Sequence, residues 1–143
     1  MYRFSALASA VVFTTCLFSG CAELQSMMGT DALVSLLTNQ LNVTANQAKG
    51  GLGSMLSLAK EKLSGADFSS LTKYIPGSDT YMQVSKDLGA VTGPINDQAG
   101  LQTAFSRLGM GSDMVGKFWG VLSDFVGKAG GEPAKNLLAA LVQ

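Results

Sequence analysis

The sequence contains no histidine. That absence removes Ser-His-acid and Cys-His nucleophilic catalysis, together with the commonest metal ligand. Charge is also scarce. Asp, Glu, Lys and Arg make up 14% of the residues, against about a quarter in ordinary soluble domains. The two signs cancel to a formal net charge of +0, with no run of like charges. Neither a nucleic-acid footprint nor electrostatic docking onto anionic lipid is therefore expected. The two cysteines, Cys16 and Cys21, lie close together near the N-terminus, so the fold must stand without a disulfide framework. Zinc-type ligand spacing is absent. Gly50-Gly51-Leu52-Gly53 is dense in glycine, but it lacks the Lys-Ser/Thr of a phosphate loop and any preceding strand. No cofactor and no metal are expected.

What is present begins with an apolar run. After Met1-Tyr2-Arg3, residues Phe4 to Phe18 carry no charge. A stretch of about 15 residues is short for a bilayer helix, which needs about 20, but it fits the h-region of a secretory signal. Leu17-Phe18-Ser19-Gly20-Cys21 resembles the lipobox of bacterial lipoproteins, with Leu17 one place earlier than usual. Ordinary signal cleavage after Ala22 is the alternative. The resemblance implies a signal peptide over residues 1–20, lipid attachment at Cys21 and a tether over 21–30. Ala22, in place of an aspartate after the cysteine, implies sorting to the outer membrane, facing the periplasm. One acyl chain binds membranes only marginally. The diacylglyceryl group and added acyl chain of that family would make the anchor persistent.

Residues 31–142 read as one helical domain. Thr30 or Asp31 can cap a first helix carrying Val34, Leu37 and Leu41, with Leu33 and Leu36 widening the stripe, and Asn42 to Thr44 interrupts it. Thr44 with Gln47 forms a capping-box pattern for a second helix, whose apolar face is Ala48, Leu52, Met55, Leu56, Ala59 and Leu63. Ser64 with Asp67 opens a third, stopped by Pro76-Gly77. Ser78 or Asp79 can cap a short fourth. Gly93-Pro94 marks a loop. A helix from about Gln98 closes at Gly109. Ser112 then caps the strongest stripe, Val115, Phe118, Trp119, Leu122, Phe125 and Val126, which Gly130-Gly131 ends. Glu132-Pro133 suits the start of a last helix. No stretch alternates with period two, so an all-α, small multi-helix domain is predicted.

Shifting the chain by about 67 residues superposes apolar positions: Val34 falls on Leu101, Leu41 on Leu108, Leu52 on Trp119 and Leu71 on Leu138. Two related three-helix halves would account for this, with residues 76 to 97 crossing between them. Chance alignment of amphipathic helices is the alternative. Gly116, Gly120, Ser123 and Gly127 lie on one face of the strongest helix, and Gly50, Ser54 and Ser57 make a shorter version on the second. Each interior glycine costs about 1 kcal/mol relative to alanine, so something should offset it. Close packing inside the domain is the favoured explanation, and a self-association face is the alternative.

The run Gly51-Leu-Gly-Ser-Met-Leu-Ser-Leu-Ala-Lys-Glu-Lys-Leu63, with Phe68-Ser-Ser-Leu71 and Ile75-Pro-Gly77, resembles the VcgC/VcgE-like family of bacterial proteins. So does Ala104-Phe-Ser-Arg-Leu-Gly-Met-Gly-Ser-Asp-Met-Val-Gly-Lys-Phe118. The resemblance implies a small helical envelope protein and carries no catalytic residue with it.

Carboxylates sit mostly where helices begin, at Asp31, Asp67, Asp79 and Asp113, which helix capping and the macrodipole explain. Asp97 is the exception. The expectation is a non-enzymatic outer-membrane lipoprotein whose partner is a protein or a second copy of itself. A carrier for an apolar small molecule, held between the two triplets, comes second. A small two-carboxylate hydrolase comes third.

Overall fold

Thr44 opens the helix around which the others pack. Its hydroxyl accepts from the Gln47 N–H at 3.2 Å, and the Gln47 side-chain oxygen accepts from the Thr44 N–H at 3.0 Å. This is the reciprocal pairing of a capping box. The Gln47 amide nitrogen also donates to the Leu108 carbonyl at 3.0 Å, so the same residue that closes a local cap ties two distant elements together.

The computed structural model describes residues 32–142, which are all α, with six helices and no strand. Helix α1 covers residues 32–41. It is followed by α2 (Ala45–Lys62), α3 (Gly65–Lys73), α4 (Ser78–Asp87), α5 (Gln98–Arg107) and α6 (Asp113–Ala139). Tether, signal peptide and Cys21 lie outside the described residues.

Helix α2 is buried on nearly every side: Ala48, Gly50 to Leu56, Leu58 and Ala59 are all covered. A helix covered all round needs partners on every face, and its glycines admit them. A methyl on Gly50 would lie 2.8 Å from the Leu108 side chain at the end of α5. On Gly51 it would lie 2.5 Å from the Phe118 ring of α6, and on Gly53 it would overlap the Tyr81 carbonyl of α4. Phe118 in turn meets Phe105 of α5 edge to face, with ring centroids 5.0 Å apart at 83°, a favourable aromatic geometry. Ser54, fully buried, donates to the Gly50 carbonyl at 2.8 Å and so hides its hydroxyl within the helix.

Ser64 caps α3 as expected, accepting from the Asp67 N–H at 3.2 Å. Two expected caps differ. The N-cap of α4 is Gly77, at φ 80°, with no side-chain bond, because the left-handed turn after Pro76 already sets the chain's direction and leaves Ser78 inside the helix. Ser112 holds the N-cap position of α6, but its own backbone is helical and its hydroxyl makes no capping bond. Asp97 now has a structural role: its carboxylate accepts from the Gly100 N–H at 2.7 Å and caps α5.

Helix α6 is broken at Gly131, which lies at φ 69°, ψ −157°, a region open almost only to glycine. Pro133 follows in the first turn of the second arm, where its missing N–H is harmless. Each half of the domain therefore runs short helix, corner, long helix, break, short helix. In the first, α2 spans 45–62 between α1 and α3; in the second, the straight arm of α6 runs from 113 to the break, between α5 and the last arm. Both corners hold a left-handed residue, Asn42 at φ 56° and Gly109 at φ 76°. The offset matches the shift of about 67 residues seen in the apolar pattern. Helix α4 has no counterpart. Rather than merely crossing between the halves, it lies along α2, with its Tyr81 backbone against Gly53.

A Gly53→Ala substitution should cost at least about 1–3 kcal/mol, the range for overfilling a packed core, because backbone rather than a side-chain tip stands in the way. Gly131→Ala should cost about 1–3 kcal/mol through backbone strain. Urea unfolding of each variant checks both values.

Candidate functional site

Among the described residues, no group of three or more Cys, Asp or Glu comes together as a metal cage would require. No described helix is long and apolar enough to cross a membrane. The candidate surfaces are therefore the outer face of α6 and a cleft beside α2.

The small-residue face of α6 is not packed inside the domain. Val115, Phe118, Val121, Leu122 and Val126 turn inward, and the helical repeat carries Gly116 and Gly120 to the opposite side. Both are exposed, and a methyl on either would meet no described atom within 4 Å. The expectation of close intramolecular packing fails at these two positions for that reason. Ser123 is half-buried. Gly127 is half-buried, with the Lys135 side chain of the last arm, beyond the break at Gly131, lying against it.

The flank of this face alternates in charge: Asp113, Lys117, Asp124 and Lys128. Lys117 donates to the Asp113 carboxylate at 2.8 Å. That hydrogen bond and the lysine's charge hold the Asp113 carboxyl below the usual carboxylate range. The other flank carries Trp119, half-buried, beside an apolar hollow of about 100 Å³ that Leu58, Leu101, Val115 and Val142 help to line. Val142 is half exposed there. Phe118 is fully buried and Phe125 half-buried, so the aromatic residues of α6 serve mainly as core.

The second feature is an open cleft of about 420 Å³ between the end of α2, the outer side of α4 and residues 91–95. Buried Val91 and Ile95 pin that segment to the core and form part of the cleft's apolar wall with Met82. The Ala90 and Val91 N–H groups donate to the Ser85 carbonyl at 2.9 and 3.1 Å. Arg107 donates to the Thr92 hydroxyl at 2.7 Å and holds the lip from the α5 side. Lys60, Lys86 and Glu61 stand at the rim. Glu61 is the cleft's single carboxylate, so a two-carboxylate hydrolytic site is not assembled there. Sequence reasoning missed this cleft because Lys60 and Lys86 sit near helix ends, where the macrodipole already accounts for them. The spacing of Val91 and Ile95 around Gly93-Pro94 was its one local signal.

The class the fold defines is a small all-α domain with a repeated helix–corner–long helix unit. The chain belongs to the family described as Protein of unknown function VcgC/VcgE, whose model matches residues 19–142. No curated protein matches the chain, and no solved structure does.

Replacing Gly116 or Gly120 with alanine should stabilise the isolated domain by about 0.4–1 kcal/mol each, since space is free and chain entropy falls. Thermal unfolding checks this, and the opposite sign to Gly53→Ala is the informative outcome. The Asp113–Lys117 pair should make a small contribution to stability that is present at neutral pH. It should be lost as pH falls through the lowered Asp113 pKa, since protonation of the carboxylate removes the pair. Carbon-detected NMR titration should show Lys117→Gln returning Asp113 toward the ordinary carboxylate range.

Proposed function

We propose that this chain is a non-enzymatic bacterial envelope lipoprotein, anchored through acylated Cys21 to the outer membrane, with its helical domain facing the periplasm as an interaction module. The anchor rests on the apolar run that ends in Ser19-Gly20-Cys21, and the family match takes in that cysteine. The interaction role rests on one structural observation: α6 leaves Gly116, in its first turn, and Gly120 exposed, with open space where a Cβ would stand. Helix propensity disfavours both by about 1 kcal/mol each, and nothing among the described residues compensates.

A second copy of the chain fits that face. With two α6 helices antiparallel and crossing at Gly120, Asp113 of one comes opposite Lys128 of the other, and Lys117 opposite Asp124. Every acid on the charged flank then meets a base, while the bare glycines let the two backbones approach. In a parallel pairing the charged flank would face Trp119 instead. The carrier reading is favoured by a separate observation, the cleft beside α2.

Cells expressing the full chain and fed radiolabelled palmitate should label the protein, and Cys21→Ala should lose both the label and retention in the membrane fraction. Label persisting on that variant overturns the attachment site. In the same membranes, amine crosslinking should capture a homodimer that Gly120→Leu abolishes. A dimer unaffected by Gly120→Leu places the contact elsewhere.

A further inference from the structure

The cleft beside α2 combines three properties that helix capping does not explain together. Its volume, about 420 Å³, falls within the range of small-molecule sites, about 300–1,000 Å³. Met82, Val91, Pro94 and Ile95 give it apolar walls. Lys60 and Lys86 reach its rim from two different helices, both are exposed, and neither forms an ion pair with a described carboxylate. The macrodipole accounts for a lysine at the end of either helix. It does not account for the two converging over one apolar hollow that the 91–95 segment closes from a third side.

We propose that this cleft binds a short amphipathic monocarboxylate, with its acyl body against Met82, Val91 and Ile95 and its carboxylate between the Lys60 and Lys86 ammonium groups. Glu61 sets the charge of the ligand. Among the residues that line the cleft, Lys60 and Lys86 are cationic and Glu61 anionic, a net single positive charge that a monoanion neutralises; Arg107, bonded to Thr92 at the lip, stands outside that lining. Lysine suits the task because its ammonium is a mobile point charge that can follow a head group across an open mouth. The walls are held independently of any ligand: the Ala90 and Val91 N–H groups bond to the Ser85 carbonyl, and Arg107 holds Thr92. The site is formed in advance on one side and open to solvent on the other, which favours exchangeable binding. The proposal depends neither on the anchor nor on self-association through α6.

A photoactivatable diazirine analogue of octanoate tests it on the full chain in isolated membranes, with labelled residues mapped by mass spectrometry. The expected result is labelling concentrated on Met82 and residues 91–95, competed by excess octanoate and much less by octanol. Lys60→Gln and Lys86→Gln should each lower labelling about two- to fivefold, the scale of a partly exposed ion pair. Lys73→Gln, exposed on α3 and outside the cleft, should leave it unchanged. Both cleft lysines are exposed, so circular dichroism should show the fold intact in these variants. Labelling spread over α6, equal competition by octanol, or lysine variants that label like the parent would each overturn the proposal.

Discussion

The close approach of three helices to Gly50, Gly51 and Gly53 is the constraint on which the rest of this fold depends. Over less than two turns of α2 the absence of Cβ atoms lets α5, α6 and α4 each come against the helix backbone or nearly so. From Gly50 to Leu56 the helix has no face left for solvent, which is why α2 buries Gly and Ser there alongside Leu and Met. Helix propensity opposes three glycines in one helix. Drawing three partners inward buries apolar surface and adds dispersion attraction, and together these outweigh that cost. The same approach places the cleft, because α4 can lie along α2 only as closely as Gly53 permits.

Both long helices carry glycines in mid-helix, and the two halves share one order of elements, yet the glycines do opposite things. On α2 they are where the domain closes. On α6 the core is made by large residues, Phe118 and Leu122 among them, and Gly116 and Gly120 are left outward. The difference follows from α4. It has no counterpart in the second half, so the groove on α2 is occupied and the corresponding surface of α6 stays open.

Much of the architecture was legible locally. Thr44 with Gln47 and Ser64 with Asp67 marked helix starts because each cap is made within four residues. Gly109 and Gly131 marked breaks because their backbone angles suit glycine. Stripes such as Ala48, Leu52, Met55 and Leu56 named their buried faces because the core must be apolar. Ser112 and Ser78 misled for a physical reason: a serine before an apolar run caps only if its own backbone is extended, as at Ser64. At Ser112 the backbone is already helical, and before Ser78 Gly77 turns the chain. Asp97 was legible too, since the sequence already places a helix start near Gln98 and a carboxylate just before it is an ordinary cap, which the structure bears out.

The sequence by itself determined the class, the positions of the helices and the places where they stop, because periodicity, caps and breaks act over a few residues. It also set which chemistries are excluded, since histidine is missing everywhere. Only the tertiary structure decided which glycines are contact points. A glycine says that a Cβ is missing, and not whether another helix will come to fill the space. At Gly53 the Tyr81 backbone does; at Gly116 and Gly120 nothing described does. The cleft was decided at the same level, because Lys60, Lys86 and Ile95 converge only when α4 and the segment after it return along α2.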